Sequence, residues 1–344
     1  MEQPISQVGP GSRSSTIEEV ARHAGVSAAT VSRVLNEDPR VGPRYRAKVT
    51  AAIEELGYRP NPLARNLRRQ RTAAIGVVVS DIENPHFSGA VRAIEDLAYG
   101  LGHQVLICNT DETPDKERAY LRTMMDERVC GVILSPADPG NPAIGALLDS
   151  GIPLVAFDRE VADPRADAVI ADNVRGTRTA TEHLIAAGHR DIAFVGGRRE
   201  VETGLERLDG YEIAMRAAGL QPRSVSGRFK ADAAEAAVAA LLAADRAPSA
   251  LVVANNLMTL GALGALAAAG VRVPDDVALV AIDDPPWAPF MAPPLTTVAQ
   301  PVRRMAADAM DLLLDRVHGR SERARRILHP LELRVRGSCG TGAR

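Results

Sequence analysis

Thr16-Ile-Glu-Glu-Val-Ala-Arg-His-Ala-Gly-Val-Ser-Ala-Ala-Thr-Val-Ser-Arg-Val-Leu-Asn36 decides the reading of the N-terminal part of the chain. Glu19 stands three residues after Thr16, the spacing of a capping box, and Ile17, Val20, Ala21 and Ala24 fall on one face of the helix that follows. Gly25 ends this helix. Ser27 caps a second one running to Asn36, with Val31, Val34 and Leu35 facing inward and Ala28, Ala29, Ser32, Arg33 and Asn36 outward. A third helix, from Pro43 or Arg44 to Leu56, carries Val49, Ile53 and Leu56 at i, i+4 and i+7 and stops at Gly57. Helix, tight turn and helix, braced by a third helix, predict an all-α helix-turn-helix domain over residues 16–60 behind a disordered tail of residues 1–15.

Such a motif reads DNA because its second helix fits the major groove, about 12 Å wide, while the first crosses the phosphates. Arg33 is the base reader, since a guanidinium donates two hydrogen bonds to a guanine edge. Ala28 and Ala29 offer methyl contacts, and Thr16, Ser27, Thr30, Ser32 and Asn36 are small donors for phosphates. Charge agrees: 12 basic residues stand against 7 acidic ones through Arg71, so this part carries +5 while the whole chain carries −2. A basic module on an acidic body points to a polyanion partner for the module alone. Next comes Tyr58-Arg-Pro-Asn-Pro-Leu-Ala-Arg-Asn-Leu-Arg-Arg-Gln-Arg71. Asn61 can cap and Pro62 can start a short helix in which Leu63 and Leu67 lie one turn apart among Arg65, Arg68 and Arg69. So short a helix is unstable alone. Residues 61–72 therefore read either as a hinge helix that folds against something else or as a flexible basic linker.

With 344 residues the chain has room for two or three domains. It is 46% hydrophobic and 24% charged, with no apolar run near the ~20 residues of a membrane span and no signal peptide, so a cytoplasmic protein is expected. Cys108, Cys130 and Cys339 lack metal-ligand spacing and read as reduced thiols without a framework role; no cofactor or metal is expected. From Ala74 onward apolar runs alternate with helical segments: Ile75–Val79, Val105–Cys108, Val132–Leu134, Leu154–Phe157, Ile192–Val195, Leu251–Ala254 and Val277–Ile282. Runs of this kind are strands buried on both faces of a parallel sheet. Leu101-Gly-His and Ala187-Gly-His repeat one helix-to-strand turn in both halves. The fold class is therefore a helix-turn-helix joined to an α/β two-lobed domain of doubly wound parallel sheets, whose ligand sits in the crevice at the strands' carboxyl ends.

The stretch Thr16–Asn36, with Gly57-Tyr-Arg-Pro-Asn-Pro-Leu-Ala-Arg-Asn-Leu67, resembles the LacI/GalR family of bacterial transcription regulators. The likeness continues through Asn84-Pro-His-Phe87, Arg128–Leu134, Gly188–Ala193, Arg207-Leu-Asp-Gly-Tyr211, Ala254-Asn-Asn256, Asp283-Asp284 and Pro294–Thr297. The resemblance implies a periplasmic-binding-protein-like body with lobe 1 at 73–171 and 301–326 and lobe 2 at 172–300 and 327–338; the Gly- and Ser-rich end from Gly337 to Arg344 reads by composition as disordered, with the tail set at 339–344. It also implies a homodimeric repressor on a palindromic operator, with Tyr58, Asn61, Arg65 and Arg68 at the DNA and Leu67 wedged into the minor groove. For a sugar-like or nucleoside-like effector it implies His86, Phe87, Asp158, Arg159, Arg207, Phe229, Asn255 and Asp283.

Singly these residues have simpler readings: Asp283 can cap a helix, and Arg207 can merely pair with it. Trp287 reads equally as a lid or as surface packing. Asn256 stands where the family usually has Asp, and Val201 where some purine-responsive members carry a ligand-contacting Arg, which counts against a purine effector; Arg198 and Arg199 in the same loop leave a phosphorylated or acidic sugar open. Among rival classes, an enzyme is disfavoured because no G-x-x-x-x-G-K-[ST], G-x-G-x-x-G, H-E-x-x-H or G-x-S-x-G is present. A protein co-regulator in place of the small molecule, and a sugar-binding protein without a regulatory role, are the remaining alternatives.

Overall fold

The computed structural model describes residues 15–35, 38, 40–58 and 72–340, and the chain divides into two compact units at Arg71 and Thr72. In the small unit, helices α1 (Ile17–Ala24), α2 (Ala28–Leu35) and α3 (Pro43–Glu55) form as read. The capping box is complete: the Glu19 N–H donates to Thr16 Oγ1 at 3.3 Å and the Thr16 N–H to Glu19 Oε2 at 2.8 Å. Gly25 closes α1 at φ 64°, a left-handed turn natural to a residue without Cβ. Val20, Val31, Val34, Val49 and Ala52 make the core. Ser15, expected in the tail, donates its hydroxyl to Leu56 O at 2.7 Å. Asn36 lies outside the described residues, as do Asn61, Arg65, Leu67 and Arg68 and with them the expected hinge helix.

The large unit alternates strand and helix: β1 (Ala74–Val79), α4 (Pro85–Gly100), β2 (Gln104–Asn109), α5 (Pro114–Asp126), β3 (Gly131–Leu134), α6 (Pro142–Asp149), β4 (Leu154–Phe157) and β5 (Asp167–Ala171). It continues with α7 (Asn173–Ala186), β6 (Ile192–Gly196), α8 (Glu202–Ala217), β7 (Arg223–Ser226), α9 (Ala231–Leu242), β8 (Ala250–Val253), α10 (Asn256–Ala268), β9 (Ala278–Ile282) and β10 (Thr296–Ala299). Last come α11 (Val302–Val317), β11 (Arg326–His329) and β12 (Glu332–Arg334). One sheet has the order β11-β5-β4-β3-β1-β2, all parallel; the other is β12-β10-β9-β8-β6-β7, parallel except for β12 against β10. The central strands β1, β3, β4, β6, β8 and β9 are buried along their whole length, as their continuous apolar runs require.

The chain passes between the lobes three times, and the third passage corrects the sequence reading. Residues 326–329 pair in parallel with β5 from Ala168 to Ala171, so the first lobe keeps them and the crossing falls after His329 rather than after Arg326. Arg-Ile-Leu-His carries no continuous apolar run, and only the pairing partner assigns such an edge strand to a sheet. The expected disorder of the C-terminal end also fails as far as Gly340. Ser338 is buried, its hydroxyl donating to Leu279 O at 2.6 Å and accepting from Thr296 N–H at 2.8 Å, and Cys339 Sγ lies 3.2 Å from His183 Nε2. Small residues here serve close packing, since a Cβ on Gly337 would stand 2.9 Å from Pro293 Cβ.

Candidate ligand cleft and nucleic-acid interface

In the small unit α2 presents Ala29 and Arg33 to solvent, with Ala28, Thr30 and Ser32 half-buried beside them. Ser27 caps the helix, accepting the Thr30 N–H at 3.2 Å, and the Ser27 and Thr30 hydroxyls lie 2.9 Å apart. Thr16 is exposed at the start of α1. Tyr58 packs partly into the three-helix core, where burial and the nearby Glu18 push its phenol pKa up. The structure thus sets out a recognition helix with one exposed guanidinium and no acidic residue on its span.

In the large unit the carboxyl ends of both sheets supply one cleft. Asp158 directly follows β4 and Asp283 directly follows β9, and the two use the same device. Each sits at positive φ, 69° and 74°, with its N–H bonded to the next strand: Asp158 to Val169 O at 3.0 Å, Asp283 to Val298 O at 2.9 Å. Holding a non-glycine residue there costs of order 1–3 kcal/mol, a strain that concentrates at binding sites. Phe229, at φ 61°, shares it. His86 and Phe87 lie in the first turn of α4, whose N-cap Asn84 accepts the His86 N–H at 3.1 Å. Arg207 reaches in from α8, its Nε donating to Asn173 Oδ1 at 2.8 Å and its Nη1 to Ala254 O at 2.7 Å.

These residues line one cleft, and all eight positions expected at the effector site are among its walls: His86, Phe87, Asp158, Arg159, Arg207, Phe229, Asn255 and Asp283. Sequence reasoning missed Asp81, Asn84, Glu112, Thr203, Lys230, Leu257 and Gln300, which also line it. The signal for two of them was positional: Asp81 follows β1 by two residues, and Lys230 comes four residues after β7. Arg198 and Arg199 are not in the cleft; Arg199 is exposed and donates to Ser224 Oγ at 3.3 Å. Val201 packs in the second lobe's core, and Trp287 packs half-buried against that core without lining the cleft. Asn255 turns its side chain to capping α10, accepting the Met258 N–H at 2.8 Å. Asp283 caps no helix; its Oδ1 accepts from Gln300 Nε2 at 2.6 Å.

Most of the cleft's charge is neutralised internally. Arg159 donates from Nη1 and Nη2 to both oxygens of Glu112, at 2.8 and 2.7 Å, and its guanidinium lies 5.9 Å from the centre of the Phe229 ring. Lys230 Nζ bonds Asp81 at 2.7 Å and Asp111 at 2.9 Å. His86 Nε2 lies 3.3 Å from Asp158 Oδ1, and neither ring nitrogen meets the geometry of a hydrogen bond with a partner among the described residues. Burial acts to lower the imidazole's pKa, but the Asp158 carboxylate and then the Asp283 charge outweigh it, and the value is raised. Burial acts to raise Asp158; the imidazole, Arg159 and Arg207 reverse this and hold it at about 2. Asp283 and Arg207 are left facing only neutral partners at hydrogen-bond distance among the described residues.

A helix-turn-helix unit followed by a two-lobed α/β unit with a polar interlobe cleft defines a DNA-binding regulator under small-molecule control. Residues 16–61 match the model of bacterial regulatory proteins of the lacI family, and residues 181–339 match a periplasmic binding protein-like domain. The chain belongs to the LacI family of transcription repressors. It is 34% identical over 327 residues to the HTH-type transcriptional repressor PurR of Photobacterium profundum, covering 94% of this chain and 98% of that one. Its fold is similar to the lac repressor dimer bound to operator and the anti-inducer ONPF (TM-score 0.84, 30% identity, 95% of this chain and 99% of that one). It is also similar to the transcriptional regulator CelR in complex with cellobiose (TM-score 0.71, 35% identity, 94% and 99%). No described helix is long and apolar enough to cross a membrane.

Proposed function

We propose that the chain represses transcription as a homodimer on a palindromic operator, and that an uncharged polyhydroxyl molecule, a sugar or nucleoside-like compound, binds the cleft and changes operator affinity. The pairing of charge in the cleft carries the ligand class. With Arg159 and Lys230 matched to carboxylates of the chain itself and His86 set beside Asp158, none of these three groups stands ready for a phosphate or a carboxylate. Asp283 and Arg207, an acceptor and a donor bound to neutral groups, suit adjacent hydroxyls. Phe87 and Phe229 supply the apolar walls on which a ring rests. The displacement of Arg198 and Arg199 from the cleft also argues against an anionic sugar. A purine is the rival class, because the PurR name attaches to relatives at 34% identity. We assign the chain no catalytic reaction and place it in the cytoplasm, where operator DNA is met. Thr16, Ser27, Ala28, Ala29, Thr30, Ser32, Arg33 and Tyr58 form the DNA face in this reading.

Thermal unfolding against sugars, polyols, nucleosides and purine bases tests it. A ligand at 100 times its dissociation constant stabilises by about 2.7 kcal/mol. Stabilisation by a neutral polyol that disappears in Asp283→Ala supports the reading, and stabilisation by purine bases alone replaces it with the rival.

A further inference from the structure

Two sets of side-chain contacts cross the cleft from lobe to lobe without using the side chains of the eight expected effector positions. Asn256 Nδ2, at the start of α10, donates to Asn84 Oδ1 at 3.0 Å, and both residues are buried. Lys230, ahead of α9, bonds Asp81 and Asp111 of the first lobe. We infer that Asn256 and Lys230 are positioning residues that clasp the two lobes closed through the chain's own side chains, whichever ligand the cleft takes.

The orientation of the Asn256 amide follows from its surroundings. Asn84 Oδ1 already accepts the His86 N–H as the cap of α4, so the atom facing it across the cleft must be a donor. A carboxylate at 256 would set an acceptor against an acceptor, unless Asn84 turned and gave up its cap. Asn256 Oδ1 has no hydrogen-bond partner among the described residues, so the bond to Asn84 is the one interaction shown for this buried amide. Removing one partner of such a bond leaves the other unsatisfied, the costlier way to lose it. At the mouth, Lys230 meets two carboxylates with its side chain 41% exposed. Its contribution is accordingly weakened by salt, whereas that of Asn256 is not.

A third crossing supplies the reporter. The backbone N–H of Glu160, in the first lobe, donates to Glu202 Oε2 of α8 at 2.9 Å. Separating the lobes breaks this bond and leaves the interior bonds of both sheets intact. Hydrogen exchange of the full-length protein with no ligand added should therefore show a protected Glu160 amide. Asn256→Asp and Lys230→Met should each speed its exchange by about five- to tenfold, Lys230→Arg should preserve protection, and high salt should reproduce the Lys230→Met effect. The Ala254 amide, bonded to Val195 O inside the second lobe, should keep its rate. Unchanged exchange at Glu160 in both variants would overturn the clasp. So would a freely exchanging amide in the parent protein, or equal acceleration at Glu160 and Ala254, which would make the residues supports of their own lobe only.

Discussion

Replacing Glu112 by Gln tests how the cleft is held. Arg159 and Glu112 are 5% and 10% exposed in their side chains and share two hydrogen bonds. Breaking a buried ion pair by removing one partner costs about 3–5 kcal/mol, because the surviving charge is left uncompensated. Two features reduce that figure here: Arg159 Nη1 also bonds Pro136 O at 3.1 Å, and its Nε lies 3.6 Å from Asp158 Oδ2. With Gln still able to accept one hydrogen bond, the expected loss is about 2–3 kcal/mol. Urea unfolding followed by circular dichroism measures it, alongside Arg159→Met and the double variant. Arg159→Met removes the charge itself, so the double variant should lose less than the sum of the two, with a coupling of about 1–3 kcal/mol. Strict additivity, or a Glu112→Gln protein as stable as the parent, would refute the argument that this pair neutralises the cleft from within.

The remaining expectations concern DNA and pH. Arg33→Ala should cost about 1–3 kcal/mol at a single base position of each operator half-site, read by competition binding over a set of operators with one substitution each; a uniform loss on all sequences would mean that Arg33 contacts phosphate. His86 has a raised pKa, so the stability it adds is complete below the unfolded value of about 6.5 and is lost as pH rises through the higher folded value. The parent's advantage over His86→Asn in urea should shrink as pH rises above about 6.5, and a constant difference would discount the pair with Asp158. At the acid end Asp158 works in the opposite sense: its contribution stands above about pH 3.9 and is lost as pH falls towards about 2.

Local chemistry determined the parts that the sequence made legible alone. The Thr16 and Glu19 capping pair, the Gly25 turn and the spacing of Val20, Val31, Val34 and Val49 specify the three-helix unit within a few turns of chain. The buried strands announce themselves because a strand covered on both faces has no polar side to show. The family resemblance added the eight residues of the cleft, which composition and period do not reveal. The edge strands were beyond such reading: β11, exposed on part of its surface, has no pattern of its own, and its pairing with β5 sets where the chain last changes lobe. The same holds for Gly337 to Gly340, whose composition reads as a loose tail but whose backbone and hydroxyl groups bond Pro294, Leu279 and Thr296. Above all, tertiary structure decided the electrostatics of the cleft. Glu112 and Arg159, or Lys230 and Asp81, are 47 and 149 residues apart in sequence, and a charge is free or neutralised according to what the fold sets beside it.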